Sequence, residues 1–390
     1  MQTAKRNHID VAMLIAVLIL MFMSMGIVYS ASASWALEKY GGTEKMLISH
    51  AIKVFLGIIM LFAGMMINYH DLKRYTKLAV VGAMVLLLIT LAMGGEAKGA
   101  TRWLRFASFG FQPSEFAKYA LLFHLCSLIA VKGNLVRDFK KGFVPMILWI
   151  IGITVLVMKQ PNFSMGAIIF FLSMIVLFVG RVRLSHIFGL FAIIIPLLLI
   201  YMYSADYRRA RIDSFMHGSG AAAEHNYQLW QGMIGFGNGG LIGVGLGESK
   251  QRDLFLPESY GDFVFSIVGE EYGFIGTISI MALFLFIMLR GFRIARHAED
   301  GFGRNLALTI TTALTMYALV NASVTLGMLP TTGLPMPFVS YGGSSMVFSA
   351  FVVGVLLNIS SQTDLYPRAT QIPVVGTINA DEGGVGKVYQ

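Results

Sequence analysis

Ten apolar runs constrain this chain more than any other feature. They lie at about 10–33, 48–68, 75–93, 114–131, 142–158, 164–180, 187–203, 263–289, 305–327 and 344–360. Each is roughly the length that carries a helix across a bilayer core. Backbone N–H and C=O groups in hydrocarbon must be satisfied within the segment, so each run is expected to be helical. Composition agrees, with 56% hydrophobic and only 13% charged residues. Soluble domains carry about 45–50% and about 25% respectively. The sequence therefore reads as all-α, a polytopic membrane protein with about ten transmembrane helices. An ordinary soluble enzyme, a disordered chain and a nucleic-acid reader are excluded.

The net charge of +9 does not point to nucleic acid, because the positives cluster between the apolar runs. With the N-terminus inside, the inner segments hold Lys5, Arg6, Lys73, Arg74, Lys77, Lys132, Arg137, Lys140, Lys141, Arg181, Arg183, Arg290, Arg293, Arg296 and Arg304. The short outer loops hold far fewer Lys and Arg, which orients the protein by the positive-inside rule. An even number of spans places both termini in the cytoplasm. Lys5 and Arg6 before an apolar run resemble a signal peptide, but the run is too long for one. An uncleaved first helix is expected. One large extracytoplasmic loop, about 204–262, separates helices 7 and 8 and is expected to be functional. The domain reading is a single unit over 1–361 and a polar, Gly-rich cytoplasmic tail over 362–390, expected to be mobile.

Ionisable residues near membrane depth are the places to look for chemistry. Glu115 and Lys118 follow Pro113 and Ser114 at the start of the fourth run. Pro and Ser there mark a helix start, and the i,i+3 spacing lets the two charges pair. They read either as an interfacial ion pair or as a charged wall of an outward-facing cavity. Arg102 and Arg105 precede that helix on the outer side. A phosphate-bearing ligand would account for them, since guanidinium matches phosphate oxygens, and so would anionic headgroups. Asp262 stands at the mouth of the eighth run, with Glu258 one turn away. It reads equally as a helix N-cap or as a carboxylate base. Residues 235–247, GFGNGGLIGVGLG, contain the spacing of a dinucleotide fingerprint but lack the strand–helix setting that fingerprint needs. A close-packed surface or re-entrant segment is expected instead. Ser344 and Ser345 end a rigid Pro- and Gly-rich turn with no histidine near in sequence, which favours capping over nucleophilic roles. The single cysteine, Cys126, excludes a disulfide within the chain. There is no HExxH and no P-loop in the sequence.

The stretches Gly99–Lys118, Gly235–Gly273 and Leu334–Ser345 together resemble the SEDS family of bacterial cell-wall polymerases, the FtsW and RodA proteins. The resemblance runs from the first apolar run to about Ser360. The run Gly243–Gln251, then Leu256-Pro257-Glu258 and Val268–Glu271, resembles the division branch (FtsW) more than the elongation branch (RodA). The family's essential aspartate falls on Asp262, and its paired Glu and Lys fall on Glu115 and Lys118. The sequence departs from the pattern at Tyr260 and Gly261, where His-Thr is frequent. It departs again at Gln160-Pro161-Asn162, where an acid often occupies the third position.

The resemblance implies a ten-span SEDS fold that polymerises lipid II into β-1,4 glycan strands outside the cytoplasmic membrane, for septal wall synthesis. Lipid II brings its own leaving group, an undecaprenyl diphosphate, so one inverting attack and one general base suffice. Asp262 is expected to be that base. Lys118, Arg102 and Arg105 are expected to stabilise the departing charge, with Glu115 orienting Lys118 and Glu258 among the substrate contacts. No cofactor is required; a divalent cation (Mg or Mn) is the one addition left open. The implied partners are a class B penicillin-binding protein transpeptidase and other divisome membrane proteins, with no nucleic acid. Three other functions fit the same pattern: a lipid II flippase without chemistry, the elongation (RodA-type) polymerase, and a non-catalytic scaffold.

Overall fold

The computed structural model describes residues 8–93, 102–106, 109–203 and 224–365. The apolar runs all became helices: α1 (Val11–Tyr40), α2 (Glu44–Met66), α3 (Tyr69–Met93), α4 (Pro113–Lys132), α5 (Val144–Lys159), α6 (Phe163–Val179) and α7 (Leu184–Tyr203). A shorter helix, α8 (Glu224–Gly239), precedes α9 (Val264–Arg296), α10 (Gly301–Thr325) and α11 (Gly343–Ser361). Eight of these are long and apolar enough to cross a membrane, and Phe163–Val179 and Leu184–Leu197 are shorter apolar helices. A small antiparallel hairpin, β1 (Leu104–Phe106) and β2 (Phe109–Phe111), leads into α4. It and α8 are additions that the apolar pattern did not signal. Lys5, Arg6, residues 204–223 of the long loop and most of the C-terminal tail lie outside the described residues.

Helices in lipid gain nothing from hiding apolar surface from one another, so close packing and small residues hold them. The α2–α11 pair shows this. A Cβ at Gly64 would stand 2.3 Å from the Phe351 carbonyl oxygen, and one at Gly354 would stand 2.1 Å from that of Leu61. One end of the bundle is clasped by polar groups. Asp10, fully buried, caps α1 through Met13 N–H (3.0 Å) and accepts from Arg290 of α9 at 2.7 and 2.8 Å. Its own N–H donates to Ser360 Oγ of α11 at 3.0 Å. Asn358 accepts from Tyr69 N–H (3.1 Å) and donates to the Met65 carbonyl (2.9 Å).

The Gly-rich run explains itself at a break in α9. Gly273 is non-helical (φ 65°, ψ −159°), which frees two N–H and two C=O groups from the helical ladder. Buried as this segment is, such groups need other partners. Phe274 and Ile275 N–H donate to the Gly240 and Leu241 carbonyls at 2.9 and 3.1 Å. The Glu270 and Glu271 carbonyls accept from Val244 and Gly245 N–H at 3.0 and 3.1 Å. The loop backbone thus replaces the helix's own bonds. Its side chains repeat the weld: Glu270 accepts from Ser249 Oγ (2.5 Å), Gln251 N–H (3.1 Å) and Asn238 (3.2 Å), while Glu271 accepts from Ser30 of α1 and Gly247 N–H. The close-packed segment read from the sequence is what forms.

This weld makes a sharp prediction. Gly243 has φ +85°, and a Cβ there would meet the Glu271 carbonyl oxygen at 2.1 Å. Gly243→Ala should lose about 1–3 kcal/mol from backbone strain alone, with the clash added. Gly237, in α8, has no heavy atom within 4 Å of such a Cβ, so Gly237→Ala should be neutral or stabilise by up to about 1 kcal/mol. Thermal unfolding of the two variants in detergent checks this. Equal effects would mean the weld does not form.

Candidate functional site

The site is built where the loop before α9 meets the loop before α11. Residues 256–263 turn on Glu258, which is exposed and has φ +54°; Gly261 N–H donates to its carbonyl at 2.8 Å. Ser259 donates to the Ala31 carbonyl of α1 at 2.7 Å. Tyr260 packs its ring 5.1 Å from Trp35 and 5.6 Å, edge-on, from Tyr341. Tyr341 N–H donates to the Tyr260 carbonyl at 2.9 Å. Burial and then the neighbouring Glu258 carboxylate push the Tyr260 phenol above its ordinary pKa, so it stays a neutral O–H. At this departure from the family pattern an aromatic brace stands in place of His-Thr.

Asp262 is half-buried at the entrance to α9. Phe263, one residue further on, opens α9 without a side-chain cap bond, so Asp262 stands at the helix entrance where its sequence position puts it. Asn321 of α10 fixes its backbone by donating to the Asp262 carbonyl at 2.8 Å and to the Leu334 carbonyl at 2.8 Å. The carboxylate lies against the backbone of Gly333, where a Cβ would be 3.3 Å from Oδ2. Asn321 thus fixes the backbone of Asp262 while Gly333 leaves room for its carboxylate.

Glu115 and Lys118 do pair, at 2.7 Å, with each side chain 1% exposed. Pro113 opens α4 with Gln112 as N-cap, as its sequence suggests. The pair is neither interfacial nor the wall of an open cavity. Lys118 Nζ sits 3.8 Å from the Tyr317 ring centroid and 4.4 Å from that of Tyr119, so aromatic faces and Glu115 enclose it. Tyr317 lies on α10 one turn from Asn321, about 6 Å along the axis. The buried pair thus braces the helix that holds Asp262, and it does not present its ammonium outward.

Arg102 is half-buried and donates to the Gln160 carbonyl at 3.3 Å and to the Pro161 carbonyl, which ties the hairpin segment to the α5–α6 turn. In that turn Asn162 caps α6 through Met165 N–H at 3.4 Å. The backbone of Arg105 pairs with Gly110 across the hairpin; its side chain lies outside the described residues. Ser344 accepts from Gln112 N–H (2.9 Å) and donates to the Gly110 carbonyl (3.2 Å). It brackets the hairpin onto α11 and is not set up as a nucleophile. Among the described residues no three His, Cys, Asp or Glu side chains gather to hold a metal. No step below depends on a divalent cation. Sequence reasoning missed Asn321, Tyr317 and Tyr341. They are uncharged residues of apolar or Gly-rich runs, and only the fold brings them to the aspartate.

Together these features define an integral membrane protein with a braced carboxylate at one end of a helical bundle. Residues 11–365 match the cell cycle protein family of FtsW, RodA and SpoVE, and the chain belongs to it. A probable peptidoglycan glycosyltransferase FtsW of Geobacter metallireducens is 38% identical over 355 residues, 90% of this chain and 95% of that one. Stage V sporulation protein E of Bacillus subtilis is 33% identical over 360 residues, 92% of this chain and 98% of that one. The fold is shared with a chain solved in a study of polymerization and crosslinking by a peptidoglycan synthase complex (TM-score 0.75, 24% identity, 90% of this chain and 97% of that one). It is shared also with the rod shape determining protein RodA of Thermus thermophilus (TM-score 0.66, 24% identity, 90% and 96%).

Proposed function

We propose that this chain is a peptidoglycan glycosyltransferase that polymerises lipid II on the outer face of the cytoplasmic membrane, with Asp262 as general base. The observation that carries this reading is the fixed carboxylate of Asp262 at the mouth of α9, backed by Gly333 and held through Asn321. The 4-hydroxyl of the acceptor GlcNAc gives its proton to Asp262 as its oxygen attacks C1 of the donor MurNAc. The C1–O bond to the diphosphate breaks, the centre inverts, and undecaprenyl diphosphate leaves without needing a proton. Arg102 and Arg105 are the cations assigned to the departing charge, and the exposed Glu258 is assigned to the sugar or peptide of the substrate. Glu115 and Lys118 act as positioning residues through α10. All ten apolar helices span the membrane, both termini lie inside, and residues 204–262 lie outside. Likeness to relatives named FtsW supports a septal role, with a class B penicillin-binding protein and other divisome membrane proteins as partners.

Purified protein in vesicles with lipid II tests the activity. Glycan ladders on a gel are the expected result. Headgroup translocation without ladders would instead make it a flippase, and neither would leave a scaffold. Labelling of single cysteines checks the topology: position 217 should react from outside in intact cells, and reaction only after access to the cytoplasm would overturn the orientation.

A further inference from the structure

The reaction above releases a diphosphate, and the buried Lys118 does not reach out to meet it. Another cation does stand beside the Asp262 loop. Lys53, in α2, is half-buried within an apolar stretch, and its Nζ lies 3.2 Å from the centroid of the Tyr341 ring. Tyr341 is bonded through its N–H to the carbonyl of Tyr260, two residues before Asp262. Its phenol oxygen lies 2.9 Å from Ser49 Oγ, also of α2, so ring, loop and helix are fixed to one another.

Lys53 has no carboxylate partner among the described residues. Its neighbours supply no negative charge. His50, one turn away and fully buried, donates from Nε2 to Ser24 at 2.9 Å, because the Ser24 hydroxyl proton goes to the Met21 carbonyl at 2.7 Å. His50 Nδ1 is left without a hydrogen-bond partner. An ammonium at membrane depth is costly unless an anion compensates it. An aromatic face is a weak substitute, and a charge-assisted hydrogen bond to a phosphate oxygen is stronger.

We propose that Lys53 binds the diphosphate of the polyprenyl-linked substrate and product beside Asp262, leaving the face of Tyr341 when the anion arrives. This rests on the polymerase reading for the identity of the lipid but not for the anion site itself. It places the cation that receives the leaving group on α2, across the Tyr341 ring from the aspartate loop.

Binding of undecaprenyl diphosphate and undecaprenyl monophosphate to the full-length protein in nanodiscs tests the site without turnover. Lys53→Met should weaken diphosphate binding by about tenfold or more and erase most of the preference for diphosphate over monophosphate. Lys53→Arg, which keeps the charge, should restore both to near the parent. Lys53→Gln serves if the Met variant unfolds, and unfolding temperature is followed for each. Unchanged diphosphate binding in a folded Met or Gln variant would overturn the assignment, as would equal losses in the Arg and Met variants, which would reduce Lys53 to packing on Tyr341. A parent that binds diphosphate through Lys53 yet makes no glycan would overturn the polymerase reading while supporting this one.

Discussion

Lys118→Met is expected to destabilise the protein by about 3–5 kcal/mol, because it leaves Glu115 charged, buried and unpaired. Both side chains are 1% exposed and 2.7 Å apart, so water cannot compensate the carboxylate. Glu115→Gln should cost a similar amount, stranding the ammonium between Tyr119 and Tyr317. The double variant, Glu115→Gln with Lys118→Met, removes both charges together. It should recover more than half of either loss, since replacing a buried pair is far cheaper than breaking one. Thermal unfolding in detergent of the parent, both single variants and the double variant gives the coupling directly. Small single effects that simply add would show that the pair does not brace α4 against α10. The folded double variant should still make glycan at a reduced rate. Complete loss in a double variant of parental stability would instead place Lys118 in contact with the diphosphate.

Much of this architecture is legible in the sequence because the bilayer leaves so few solutions. Each long apolar run had to be a helix, and each is. Pro113 and the three-residue spacing of Glu115 and Lys118 fixed a local helix start and pair before any tertiary contact was known. The sequence was silent where the answer depended on distant neighbours. Four glycines within Glu224–Gly239 argue against a helix on propensity. Yet α8 needs a residue without a side chain at Gly239, where a Cβ would lie 1.9 Å from the Gly269 carbonyl. The break at Gly273 is invisible inside an apolar run, since only the loop's backbone makes it tolerable.

The site divides in the same way. Asp262 was marked by its charge at a span boundary, but two roles fitted that position equally. The structure adds what the sequence does not show: the carboxylate lies against Gly333 and the Asp262 carbonyl is held by Asn321. From sequence, Lys118 fits an interfacial pair and the wall of an outward-facing cavity alike. Its enclosure by Tyr119 and Tyr317 depends on α10, far away in sequence. Lys53 escaped attention because a lone lysine in an apolar run reads as a helix that merely tolerates one. Its meaning comes from Tyr341, nearly three hundred residues on.

Asp262→Asn carries the largest expected functional effect. The substitution keeps the size of the side chain and leaves untouched the backbone carbonyl that Asn321 holds. Fold and lipid II binding should survive. An amide does not take up the proton of the attacking hydroxyl, so the loss falls on the chemical step, on the order of 10²–10⁴-fold. Asn caps a helix about as well as Asp, so a capping role alone would leave the rate nearly unchanged. The decisive measurement is the initial rate of glycan formation from saturating lipid II by the parent and the Asn variant, at matched protein and matched lipid II binding. Long glycan ladders from the parent, with a rate at least about a hundredfold lower from the variant, are the predicted result; equal rates from the two proteins would contradict the assignment of Asp262 as the base.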